Sequence, residues 1–295
     1  MLCTPPFEFS EPHPMKCLVI NLDRSTDRLA HVTAEFERAG VAFERVAAVD
    51  AQALPDLGSM PVRKRPVSQT RLTDGEIACL LSHRACWSTI ASGDDAYVAI
   101  FEDDVMLSEK SGALLADRGW IPADADIVKL ETFLHRTIVG VKRVAACHGF
   151  SASRLHDVHM GSAGYIVSKK AAGALLEATQ EICIPVDHVL FNPKLETSPG
   201  RVIYQLWPAL CAQEQFLGWE MVKFPSLLKQ DRLERLASRD VRQRASPYEK
   251  IRRELRRLSL QFADLCRLRR WKIVPFDYRG KRVRRPHTQR GQNAL

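Results

Sequence analysis

The stretch YVAIFEDDVML, residues 97–107, constrains this chain more than any other. Its near-continuous apolar run, Tyr97 to Phe101, reads as a strand buried on both faces. The run ends abruptly in Glu102, Asp103 and Asp104, and the chain then turns apolar again. Adjacent carboxylates repel one another and lose hydration near a strand end. A fold that accepts this segment must hold the acids where something offsets their charge. Two readings stand at this point: a divalent cation, or a solvated acidic turn. Mg²⁺ and Mn²⁺ prefer oxygen donors, so carboxylates suit them. Side chains alternate along an extended segment, which predicts Glu102 and Asp104 on one side and Asp103 on the other.

Around this stretch strands and helices alternate. KCLVINL (16–22) reads as a buried strand and RSTDRLAHVTAEFERAG as a helix. Ser25 or Thr26 can cap that helix, Leu29, Val32 and Phe36 form its apolar stripe, and Gly40 ends it. Residues 41–51 read as a second strand, and the proline-containing stretch 52–71 as a long loop. Thr73 and Glu76 form a capping box at the start of the helix DGEIACLLSHRACWSTIAS. Strands follow at 125–130 and 163–168, a helix in KKAAGALLEAT, a short helix or turn at 185–191, and a strand then a loop over 202–213. This alternation predicts an α/β fold, a mixed and mostly parallel sheet with helices on both faces.

Charge divides the chain. The formal net charge is +8, from 43 Lys+Arg against 35 Asp+Glu. From Asp231 onward 20 basic residues face 7 acidic ones, leaving 23 against 28 in the remainder. Three segments are expected: a disordered N-terminal extension over 1–14, a main folded domain over 15–225, and a basic helical or disordered segment over 226–295. Within the last, YEKIRRELRRLSLQFADLCRLRRW (248–271) places Ile251, Leu255, Leu258, Phe262, Leu265 and Leu268 at helical spacing. Residues 278–295 read as disordered. The 8 cysteines form no CxxC and no zinc spacing, and read as reduced core residues of a cytoplasmic protein. No secretory signal or membrane span is legible, and Met15, just before the first strand, reads as an alternative start.

The segments LVINLDRSTDR, LTDGEIACLLSHRACW, YVAIFEDDV, DIVKLE, GSAGYIVSKKAAGALL, PVDHVLF and PALCAQ, taken in order over residues 16–215, resemble glycosyltransferase family 25. GEIACLLSH together with FEDDV carries most of the specificity. The resemblance implies a GT-A type, Rossmann-like fold, a UDP-sugar donor, commonly UDP-galactose, and Mn²⁺ or Mg²⁺ held by the acidic motif. It makes Asp104 and Glu102 the metal candidates and puts Asp103 near the donor ribose or the metal. The matched SH gives His83 a donor-site role, and Gln213 matches the family's terminal glutamine.

Other candidates rest on residue chemistry, each beside a plainer alternative. Asn21, Arg24 and Arg28 follow the first strand, where an arginine fork suits phosphate; they otherwise form a solvated helix start. Glu76 shares a helix face with His83, and is equally a capping acid. Lys129 and Glu131 either line the site or pair with each other. Gly161 and Gly164 permit close backbone approach. Ser162 and Tyr165 beside them either contact sugar or acceptor, or form a tight turn. For the inverting transfer that the resemblance implies, Asp187 is the candidate base, with His188 as fallback, or else it is an N-cap.

The expected function is transfer of a hexose, galactose foremost, from a UDP-sugar to a glycan or glycolipid acceptor of lipopolysaccharide or lipooligosaccharide. Two alternatives remain: a metal-dependent nucleotidyl or phosphoryl transferase, and a degenerate transferase acting as a scaffold. The absence of a P-loop counts against an NTPase. The basic amphipathic segment predicts a peripheral contact with the anionic inner face of the cell membrane. No nucleic acid partner is expected, because the tail is poor in aromatics and carries no such motif.

Overall fold

The computed structural model describes residues 14–53, 72–181, 184–195, 200–217 and 267–283. The chain opens with β1 (Lys16–Asn21), α1 (Thr26–Ala39) and β2 (Glu44–Ala47). In β1, Cys17 and Val19 enter one hydrophobic core while Leu18 and Ile20 enter another, so the strand has no solvent face. Val32 and Phe36 of α1 are buried and Leu29 is half-buried. Gly40 closes α1 at φ 66°, the left-handed conformation that glycine adopts without a Cβ penalty. Ser25 occupies the N-cap position but makes no side-chain capping bond.

The next elements are α2 (Asp74–Ser92), β3 (Tyr97–Glu102), β4 (Val105–Leu107), α3 (Ser111–Leu115) and β5 (Ile127–Lys129). The expected capping box is formed: Thr73 Oγ1 accepts from Glu76 N at 3.1 Å, and the Glu76 carboxylate accepts from Thr73 N at 3.0 Å. A hairpin follows, β6 (Arg136–Ala145) and β7 (Ser151–Leu155), then β8 (Gly164–Ser168), α4 (Lys169–Ala178) and α5 (Val186–Phe191). The last elements are β9 (Ile203–Trp207), β10 (Cys211–Gln213), β11 (Arg269–Ile273), β12 (Phe276–Tyr278) and β13 (Lys281–Val283).

Nine strands form one sheet in the order β11-β6-β7-β9-β5-β8-β3-β1-β2. Helices α2, α4 and α5 bury Trp87, Leu175 and Leu190 against Leu18 and Ile100 on one face. Helices α1 and α3 bury Phe36 and Leu114 against Val19 and Phe101 on the other. The α/β class and the helices on both faces are therefore as expected. The parallel share is smaller than expected. Among the described strands of this sheet only β2–β1, β1–β3 and β5–β9 pair in parallel, and β8 runs antiparallel to both β3 and β5. A strand buried on both faces carries the same apolar run in either direction, so direction is not written in it.

Four further readings are corrected. The 41–51 strand is confined to Glu44–Ala47, and the loop expected after the strand in 202–213 contains β10, which pairs with β4. Residues 269–271, read as the end of an amphipathic helix, belong to β11, which extends the main sheet beside β6. Residues 278–283, read as disordered, close the β12–β13 hairpin. Trp271 and Ile273 also fit an alternating pattern, and Pro275 stops any helix running into them. This end of the chain is docked on the body: Val274 and Phe276 are buried, Ala209 N donates to Pro275 O at 2.8 Å, and Thr132 Oγ1 donates to Val274 O at 2.8 Å. The 54–71 loop and most of the 248–271 helix lie outside the described residues. Among the described residues no helix is long and apolar enough to cross a membrane.

Candidate active site

Parallel strands β1 and β3 end side by side, and a cleft of about 500 Å³ opens at their carboxyl ends. Ligands of open α/β sheets bind at such ends. Asn21, Arg24, Arg28, His83, Glu102, Asp103, Asp104 and Gln213 all line this cleft. Residues as far apart as 21 and 213 are thus brought together.

Strand β3 stops at Glu102, and Asp103 and Asp104 make the turn into β4. The expected alternation therefore does not hold, because a turn has no two-residue side-chain period. Arg28 Nη1 donates to Asp103 Oδ1 at 2.6 Å and Nη2 to Asp104 Oδ2 at 3.5 Å. Asn21 Nδ2 donates to Asp103 Oδ2 at 2.8 Å. Gln213 Nε2 lies 3.0 Å from both carboxylate oxygens of Asp104. Asp103 and Asp104 are buried. Burial, with repulsion from Glu102 next in weight, pushes the Asp104 carboxyl up to about 7, against the pull of Arg28 and Gln213. Burial also raises Asp103 above its ordinary value, despite Arg28 and Asn21.

Glu102 behaves differently. Burial works to raise it, but the hydrogen bond and charge of His83, with Ser162 and Arg28, outweigh burial and leave it below the usual carboxylate range. Ser162 Oγ donates to Glu102 Oε1 at 2.6 Å, and His83 Nε2 stands 3.4 Å from the same oxygen. The other His83 nitrogen is 2.9 Å from the Tyr165 hydroxyl, which takes the Trp87 Nε1 proton at 2.8 Å. Acidic oxygens facing the cleft, with Arg28 as their cationic partner, are a hard donor set that fits Mg²⁺ or Mn²⁺ through Asp104 and Glu102.

Arg24 stands at the rim of the cleft, and the remaining candidates sit outside its lining. Arg24 is half-exposed and held by Asp50, Nε to Oδ2 2.7 Å. The Glu76 carboxylate is occupied by the capping box and is not among the residues lining the cleft. Lys129 and Asp187 are likewise absent from the lining and gather around Gly161. Lys129 Nζ donates to Gly161 O at 2.5 Å and lies 3.2 Å from Glu131 Oε2. It also sits 3.9 Å above the Phe191 ring. Gly161 N donates to Asp187 Oδ2 at 3.5 Å, and His188 N to Asp187 Oδ1 at 2.9 Å. Asp187 stands in the first turn of α5 with Pro185 at the N-cap, so it is not an N-cap. The Lys129–Glu131 pair is completely buried, and burial raises Glu131 despite Lys129. Ser162, next to Gly161, joins this buried group to Glu102.

Sequence reasoning missed several participants. Arg45 Nε donates to Asn21 Oδ1 at 3.0 Å and so orients the amide that holds Asp103. His159 Nδ1 pairs with Gln205 Oε1 at 2.7 Å, and burial, with Lys129 next, pushes His159 down to about 3. Neither carries a local signal, since each depends on strands distant in sequence.

The fold and cleft define an α/β protein that presents a carboxylate turn and arginines at the carboxyl ends of parallel strands. Residues 15–190 match the family model described as glycosyltransferase family 25 (LPS biosynthesis protein). The chain belongs to this family, as its motifs implied. It is 31% identical to the lacto-N-neotetraose biosynthesis glycosyltransferase LgtB of Neisseria meningitidis serogroup B, over 88% of this chain and 98% of that protein. It is 34% identical to LgtB of Neisseria gonorrhoeae over 66% of this chain and 73% of that protein. It is 30% identical to the lipooligosaccharide biosynthesis protein lic2B of Haemophilus influenzae over 72% and 82%. It is a glycosyltransferase of the lipopolysaccharide and lipooligosaccharide biosynthesis class.

Proposed function

We propose that the protein transfers a hexose, galactose foremost, from a UDP-sugar to a glycan or glycolipid acceptor, with inversion, using Mn²⁺ or Mg²⁺ in a GT-A type arrangement. The observation that carries this reading is the Glu102–Asp103–Asp104 turn against Arg28 at the floor of the cleft. Glu102 and Asp104 hold the metal, which when bound supplies Lewis-acid stabilisation of charge on the leaving diphosphate. Arg24 and Arg28 face the same anionic group, and Asn21 with Asp103 faces the nucleoside. Gln213 fixes the Asp104 carboxylate, and His83 with Ser162 fixes Glu102. Asp187 takes the proton of the acceptor hydroxyl as it attacks the anomeric carbon. The relatives named for lacto-N-neotetraose biosynthesis support a surface-glycan acceptor.

The test is release of UDP from a panel of UDP-sugars, with Mn²⁺ and with EDTA. Metal-dependent turnover of UDP-galactose is the expected result. Failure to bind any UDP-sugar in the presence of Mn²⁺ would overturn the reading.

A further inference from the structure

A second donor set lies beside the acidic turn. Cys79 and His83 are four residues apart on α2 and so share a helix face, while Glu102 ends β3 opposite them. One ligand atom from each lies within 4.8 Å of the other two. All three line the cleft. His83 Nε2 and Glu102 Oε1 are 3.4 Å apart, a spacing one metal ion can bridge. Nitrogen and oxygen ligands at their usual distances from a tetrahedral Zn²⁺ are about 3.4 Å apart. The outer contact of the histidine is also in place. On binding, the metal replaces the Nε2 proton that serves Glu102, and the Tyr165 oxygen, 2.9 Å from His83 Nδ1, can accept the Nδ1 proton. Ligating histidines are held in this way.

We propose that Cys79, His83 and Glu102 bind Zn²⁺ or another borderline-soft cation, with the fourth position open to the cleft. Thiolate and imidazole select such ions over Mg²⁺ and Mn²⁺, so the cleft holds two donor sets of different preference that share Glu102. On binding, the half-buried Cys79 thiol gives its proton to solvent and ligates as thiolate. Zn²⁺ here withdraws Glu102 from the acidic turn and opposes the metal that supports transfer; this consequence rests on the function proposed above, whereas the binding does not.

The experiment is titration of Co²⁺ into the full chain without nucleotide. The expected result is a thiolate-to-cobalt charge-transfer band in the near ultraviolet, displaced by Zn²⁺ and lost in Cys79→Ser. Competition with a chelating indicator should show Zn²⁺ affinity lowered about 10-fold or more in Cys79→Ser and in Glu102→Gln. Far-ultraviolet dichroism checks that both variants keep the native fold. No band in the wild type, or an equal band in Cys79→Ser, overturns the site. Because no sugar nucleotide is present, that failure is separate from a failure of UDP release.

Discussion

At the scale of single residues, Asp104 carries the most consequence. Its carboxyl titrates at about 7 in the fold against an ordinary 3.8. Between those values the folded chain holds a proton that the unfolded chain has lost. Asp104's contribution to stability is therefore complete below about pH 4 and declines as pH rises toward 7. Asp104→Asn should be more stable than the wild type at pH 8, by on the order of 1 kcal/mol or more, and similar to it at pH 4. Thermal melts at the two pH values check this; a variant less stable at pH 8 would contradict the assignment. The same substitution should abolish Mn²⁺-stimulated UDP release. Because a ligating carboxylate must be ionised, metal stimulation of the wild type should rise as pH increases through 7. The residue types of this site were legible in the sequence, because FEDD, SH and the terminal glutamine are local patterns. Their partners were not. Ser162 reaches Glu102 across 60 positions and Arg28 reaches Asp103 across 75, and no local spacing encodes such pairs.

At the scale of elements, two alternatives can be separated by mutation. Glu76 at N3 of α2 closes a capping box, and glutamine serves equally at that position. Glu76→Gln should therefore leave both stability and the KM for donor unchanged, whereas Glu76→Ala should cost about 1 kcal/mol. A rise in donor KM with unchanged stability in Glu76→Gln would instead place the carboxylate in the donor site. The segment before β8 is more demanding. Gly161 has φ +90°, and a Cβ there would lie 2.6 and 2.7 Å from the Glu131 carboxylate oxygens. Gly161→Ala should lose roughly 2–3 kcal/mol by denaturant unfolding, and its turnover should fall because Ser162 is carried away from Glu102. Full activity and stability would show that the segment yields freely. The glycine was legible as a point of close approach, but its partner Glu131 was not. The helices were also legible from periodicity and caps. The β6–β7 hairpin was not, because the outer half of β6 is exposed and rich in Lys and Arg, and lacks an apolar run.

At the scale of the whole molecule, the open matter is what the basic carboxyl-terminal region contacts. Truncation after residue 230 would be a poor test of membrane binding. It would remove β11 from the edge of the sheet and take the buried Phe276 and Tyr278 out of a core shared with Met106 and Leu217. The outer edge formed by β6 and β11 has the composition of an interfacial surface. Leu268, Trp271 and Val141 are 69%, 45% and 39% exposed, and exposed Arg270 and Lys272 stand beside them. Basic residues on an edge strand also guard it against pairing with another chain, so composition alone does not choose between the two roles. Charge removal without truncation does. Each basic residue near an anionic leaflet contributes about 1 kcal/mol, so replacing Arg270 and Lys272 by glutamine should weaken binding to phosphatidylglycerol vesicles at least ~10-fold. Neutral phosphatidylcholine vesicles should bind both forms equally weakly, and the thermal midpoint should stay within a few degrees of the wild type. Sedimentation with the two vesicle types measures this directly. Undiminished binding to the anionic vesicles would leave Arg270 and Lys272 a guarding role on the edge strand and remove this edge from any membrane contact.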